Sequence, residues 1–112
     1  MSKMQFLIAL VAGLFCCSAN AADEPIAVSG FADMSCGAWA ATEHNAVGRA
    51  QYLAWFRGFI TGVNYSTPQQ QISLGRLPSN ETLSLYVDKY CRDNPLSSFP
   101  GAAFALAKDL RK

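Results

Sequence analysis

Few side chains in this sequence could carry proton transfer or nucleophilic attack, and their spacing argues against it. His44 is the only histidine and sits beside Thr42 and Glu43. A hydrolytic centre needs a nucleophile, a base, a third group that orients the base, and a pocket to hold them. A short chain has little room for one, and a solvated histidine at a helix C-terminus accounts for this cluster equally simply. The carboxylates Glu81, Asp88 and Asp93 share one expected helix, but their spacings do not bring them to one point. Gly58 and Gly62 stand four apart without a following Lys-Ser/Thr, so they form no phosphate loop. With one histidine and no Cys-x-x-Cys, no metal site is expected. The residues point away from an enzyme, and no cofactor is implied.

The remaining reactive residues are cysteines, and the start of the chain decides how they read. Lys3, the apolar run Phe6 to Cys17 and the small-x-small triplet Ala19-Asn20-Ala21 predict a signal segment over 1–21, cleaved after Ala21. The apolar run is shorter than the roughly 20 residues a bilayer span requires, so no membrane association is expected after cleavage. Cys16 and Cys17 leave with that segment, and Cys36 and Cys91 remain. Two cysteines in a small exported domain predict a disulfide, because that compartment is oxidising. Closing so long a loop stabilises the fold by roughly 4 kcal/mol.

Charge narrows the partner. Without Lys3 the chain carries eight basic and eight acidic residues. Its cations are scattered apart from a basic tip at Lys108, Arg111 and Lys112, which reads as a solvated helix end. No footprint of a nucleic-acid binder is present. Asn64-Tyr65-Ser66 and Asn80-Glu81-Thr82 match a glycosylation pattern, but the signal looks bacterial and both read as coincidences.

The elements that position these residues are helical. Residues 22–32 read as an extended or flexible lead-in, and 33–112 as one domain. A first helix starts at Asp33 or Ser35, either a suitable N-cap, with Cys36, Trp39 and Ala40 on one face. Asn45 to Gly48 reads as a break. A second helix over 49–65 carries Tyr52, Phe56, Phe59 and Val63 at spacings of four, three and four, widened by Leu53, Ile60 and Trp55. A third opens at the N-cap Ser79, lines up Leu83, Tyr86, Val87, Tyr90 and Cys91, and stops at Asn94-Pro95. A fourth follows from Ser98, with Phe99, Ala103, Leu106 and Leu110 on one face. The expected fold is all-α, a small bundle-like or orthogonal four-helix domain with one disulfide, Cys36–Cys91. That bridge pins the start of the first helix to the end of the third.

Two regions stand out for what they lack. Gly58 and Gly62 each cost about 1 kcal/mol of helix propensity against alanine, and close packing of another helix of the domain is the expected return. The stretch 66–79 has no clear period and holds Pro68, Pro78 and the run Gln69-Gln70-Gln71. It reads equally as a functional loop or as a crossover with a helical turn near Ile72 and Leu74. Gln69, Gln70, Gln71 and Arg76 are the candidate contacts there. Trp55, off the main stripe of its helix, is the fifth.

Three segments carry a resemblance: Ser35-Cys36-Gly37-Ala38-Trp39; then Tyr52-Leu53-Ala54-Trp55-Phe56-Arg57-Gly58-Phe59-Ile60-Thr61-Gly62; then Tyr86 to Leu96, ending Asp93-Asn94-Pro95-Leu96. Together they resemble the small helical Rap1a/Tai immunity proteins of the bacterial periplasm. The resemblance implies a protein partner, an exported hydrolase or toxin of the peptidoglycan amidase class delivered by type VI secretion. It also implies binding as a dimer or as a complex with the enzyme. The chain departs from that pattern in having Phe56 and Arg57 where a further cysteine often stands. In size and cysteine placement it is also similar to acid-stress chaperones of the HdeA type. With its acids protonated such a chain would carry about nine or ten positive charges, and self-repulsion of that size loosens compact states. A structural component of the envelope is the third alternative.

Overall fold

The structure, a computed structural model, describes residues 27–111. The signal segment expected at 1–21, residues 22–26 of the lead-in and Lys112 lie outside the described residues. Four helices follow in order: α1 Cys36–Ala40, α2 Ala46–Ser66, α3 Asn80–Asp93 and α4 Phe99–Leu110, with a 3-10 turn at Leu74–Arg76 between α2 and α3. Among the described residues there is no strand, only an isolated antiparallel bridge between Ser35 and Ser98. The domain is all-α, as the periodicity predicts.

Each helix opens on a side chain that satisfies one of its free amides. The Ser35 hydroxyl accepts from the Ala38 N–H at 3.1 Å, and the Asn45 carboxamide accepts from Gly48 at 2.9 Å. Ser79 accepts from Thr82 at 3.2 Å and Ser98 from Gly101 at 3.1 Å. Asn45, expected inside a break, is therefore the cap of α2, and that is why α2 begins at Ala46 instead of Arg49. Pro100 lies in the first turn of α4, where its missing N–H costs nothing.

α4 packs on α3 and α2, and α3 also contacts α1 and α2. The core between them takes Tyr52, Leu53, Phe56 and Ile60 from α2, and Leu83, Val87 and Cys91 from α3. Phe99, Ala102, Ala103, Leu106 and Ala107 come from α4, and Cys36 and Trp39 from α1. Trp39 and Phe99 are wholly buried, with ring centroids 5.2 Å apart. Alanine on two flanks of α4 lets it lie close to its neighbours.

The glycine expectation needs correcting. A Cβ built on Gly58 or Gly62 would meet nothing within 4 Å, and both residues are exposed. Their positions, about 100° per residue around α2, fall on the side away from Tyr52, Phe56 and Ile60, so none of the described helices reaches them. A close approach from another helix occurs at Gly101, in the first turn of α4, where Tyr90 of α3 comes near. A Cβ there would stand 2.6 Å from the Ser97 hydroxyl and 2.9 Å from the Tyr90 hydroxyl.

The disulfide joins Cys36 of α1 to Cys91 of α3 across 55 positions of sequence, with Cα atoms 5.3 Å apart. Beside it the Cys36 N–H donates to the Ser97 carbonyl at 3.1 Å and the Phe99 N–H to the Met34 carbonyl at 2.7 Å. A five-residue helix cannot hold itself in water; α1 is held by the bridge, this short ladder and the buried Trp39 indole. A disulfide of this kind belongs to an oxidising compartment. Among the described residues, no helix is long and apolar enough to cross a membrane.

Candidate functional site

The stretch between α2 and α3 is folded back on the end of α2 by one side chain. The Asn64 carboxamide donates to the Ile72 carbonyl and accepts from the Ile72 N–H, both at 2.7 Å. This two-pronged clamp reproduces a backbone pairing, and it plants Ile72, 4% exposed, in the core. A turn closes Thr67 to Gln70 with a 3.1 Å hydrogen bond. The Gln71 amide then donates to the Asn64 and Thr67 carbonyls at 2.7 and 3.2 Å, capping the end of α2.

The result is a cleft of about 440 Å³ lined by Gln69, Gln70, Gln71, Ile72, Ser73 and Arg76, and closed by Leu110 and Arg111 at the end of α4. Four of the five contact candidates from the sequence therefore share one concavity. Arg111 joins them because its guanidinium donates to the Thr67 hydroxyl at 3.2 Å across 44 positions of sequence. The sequence carried no signal for this beyond the basic tip, which reads as a solvated helix end.

Trp55 lies elsewhere. It is half-buried, not a free anchor: its indole N–H donates to the Ser29 carbonyl at 3.0 Å, and its ring stacks on Phe59 at 5.7 Å. Residues 27–34 run across α2 as a strap. The Tyr52 hydroxyl donates to the Asp33 carbonyl at 2.6 Å, and the Phe31 ring meets Tyr52 edge-on at 4.9 Å. Between strap and helices is a second groove, about 430 Å³, whose walls are Ala27, Val28, Ser29, Trp55, Gly58, Phe59 and Phe104. Gly58, which packs against none of the other described helices, is among them.

A third concavity, about 340 Å³, opens beside the disulfide. There the Trp39 indole N–H donates to one Asp88 oxygen at 2.8 Å, and Arg49 donates to the other at 3.3 Å. The Arg49 guanidinium lies 4.0 Å over the Trp39 ring and also donates to the Thr42 hydroxyl at 3.2 Å. These residues are too far apart in sequence for any motif to announce the cluster.

The groups weighed for chemistry are dispersed. His44 and Glu43 are exposed in the turn after α1. Asp88 is committed to Trp39 and Arg49, while Asp93 pairs with Lys89 at 2.7 Å. Among the described residues no three His, Cys, Asp or Glu side chains gather as metal ligands would. Asp33 is held below the usual carboxylate range by the Ser35 backbone N–H, 2.9 Å away, and Asp93 by the hydrogen bond from Lys89. Burial, aided by the Asp33 charge, raises Tyr52, and burial aided by Asp109 raises Tyr86. None of these four lines the loop cleft, which offers amide donors and acceptors and two guanidinium charges. In comparisons with known proteins, no family model, curated protein or solved structure matches the chain.

Proposed function

We propose that this protein is a periplasmic binding protein of the immunity type, which silences an exported hydrolase by covering its active site. The observation that carries the proposal is the loop cleft. Gln69, Gln70, Gln71 and Arg76 have no task in the core or in helix capping apart from the Gln71 amide, and they stand exposed around one concavity. The Asn64 clamp holds their backbone in place, so docking would forfeit little loop entropy. The disulfide supports an oxidising compartment, where a peptidoglycan-cutting enzyme would be met. The three segments similar to Rap1a/Tai proteins supply the class of that enzyme, an amidase. The groove beside Trp55 offers a second contact, either to the enzyme or to another copy of the chain.

The test is capture from periplasm with the tagged protein, followed by peptidoglycan hydrolysis assays on what is recovered. The expected result is an amidase whose activity falls as the protein is added. Recovery of no hydrolase, together with no protection of cells against an amidase encoded beside it, overturns the proposal.

One observation favours a second role, that of an acid-activated chaperone. The strap over Tyr52 and Trp55 runs through Asp33, whose carboxylate holds the Ser35 N–H. Acid removes that bond and loosens the cover over an aromatic face. At about pH 2 the protein should then bind an apolar dye and keep a client protein from aggregating. A chain that stays folded and inert at that pH has no such role.

A further inference from the structure

The charges around the loop cleft are not those of the chain as a whole. Acids and bases nearly balance overall, yet among the described residues the cleft lining holds two arginines and no Asp or Glu. The ion pairs among the described residues are Arg49–Asp88 and Lys89–Asp93, so Arg76 and Arg111 enter none of them. Asp109, the nearest acid in sequence to Arg111, meets the Tyr86 hydroxyl of α3 at 3.3 Å. One guanidinium nitrogen of Arg111 is anchored on Thr67, which orients the group and leaves its other N–H donors available. A planar guanidinium takes a carboxylate two-pronged, with geometry an ammonium cannot match.

The amides decide what carries that carboxylate. Gln71 spends its NH₂ on two carbonyls at the end of α2, and its Oε1 remains an acceptor. Gln69 and Gln70 each present a donor and an acceptor, a pattern that matches the alternating N–H and C=O groups of an extended peptide. Ile72 and Leu110 add an apolar floor. Among the described residues no aromatic ring lines the cleft, so these residues offer no platform on which nucleic-acid bases stack.

We propose that the cleft between the 67–76 loop and the end of α4 docks an acidic peptide segment of a protein partner, with Arg76 and Arg111 holding its carboxylates. This rests on the reading of the loop as the contact surface and names what the loop selects.

The experiment uses the full chain with its disulfide formed and short fluorescent peptides rich in glutamate, lysine or serine. Polarisation should show the glutamate peptide binding at least about tenfold more tightly than the other two, and weakening as salt is added. Arg76→Glu and Arg111→Glu, each checked for an unchanged melting curve, should weaken it at least about tenfold. Lys89→Glu, on α3 and outside the cleft, should leave affinity for the glutamate peptide unchanged. Asn64→Ala, which frees the loop, should weaken binding without altering the preference for glutamate. Equal binding of the serine peptide, or affinity that survives both arginine variants, overturns the proposal. So does displacement by free glutarate at the peptide's own concentration, or tighter binding of polygalacturonate or single-stranded DNA. The two levels fail separately. A captured amidase that still binds the Arg76→Glu, Arg111→Glu protein keeps the immunity reading and removes this one; peptide binding with no hydrolase captured does the opposite.

Discussion

At the cysteine end of the molecule, Trp39, Arg49, Thr42 and Asp88 satisfy one another beside the disulfide. At the loop end the backbone is equally well fastened, by Asn64 and Gln71, but the outward side chains are left unmatched. Among the described residues Arg76 makes no ion pair, and Gln69 and Gln70 are exposed. The two ends are thus fastened in different ways. Where partners are internal, rigidity goes into stability; where the frame is internal and the tips are free, rigidity preorganises a surface. Substitutions at the two ends should therefore separate stability from contact.

The largest separation should come from the bridge. Cys36→Ala removes a long loop closure and should lower unfolding free energy by about 4 kcal/mol, measured by urea melts with and without reductant. Affinity at the loop cleft should survive under conditions where the variant is still folded. A wild-type melt that reductant does not move would show that the bridge has no part in stability.

Asp88→Ala comes next, because it strands the Trp39 N–H and Arg49 together. Its carboxylate side chain is a third exposed and that of Arg49 is 16% exposed, so screening trims the ion-pair share and the indole bond dominates. The expected loss is about 2 kcal/mol, accompanied by a shift in tryptophan fluorescence. No change in either would mean that the cluster is decorative.

Gly58→Ala and Gly62→Ala test the open edge of α2 and should act in the opposite direction. With no neighbour in reach of the new Cβ, helix propensity alone applies, and each should add about 0.5–1 kcal/mol. Destabilisation of the isolated protein would mean that another part of the chain approaches that edge after all. If the edge is where a second copy sits, the same variants weaken self-association, which sedimentation reads directly.

The smallest effect concerns pH. Asp33 binds its proton at lower pH in the folded chain than its ordinary value of 3.8, because the folded backbone donates to it. Its contribution is complete above about pH 4 and disappears as pH falls through the depressed value. Stability should therefore dip on acidification, and Asp33→Asn should flatten that dip slightly; identical acid limbs would remove the strap's carboxylate from the account. Tyr52 works the other way: its raised value favours the folded form up to about pH 10, and that share is lost above it.

What was legible in the sequence was local or covalent. Ser35, Ser79 and Ser98 announced helix starts because capping depends on neighbours three residues away. Leu83, Val87 and Cys91 announced a buried face because 3.6-residue periodicity is a property of one helix alone. The cysteine pair was legible because only two thiols remain beyond the expected signal segment, and thiol chemistry leaves few options. The Gln69–Gln71 run and Arg76 could be picked out as candidates, since nothing local explained them. What they shared could not be seen. Their common cleft depends on Asn64 and Ile72, eight apart, and on Arg111, which arrives from the far end of the chain. Glycine misled for the same reason. Gly58 and Gly62 looked like a packing edge, while a close approach from another helix lay at Gly101, because a lone sequence shows which residue can be approached and not which neighbour comes. Spacing along the chain determined the four helices and most of their buried faces, though on α2 Leu53 and Ile60 take the core places expected of Phe59 and Val63. Only tertiary structure decided which polar ends face each other, since those contacts join residues that no local pattern connects.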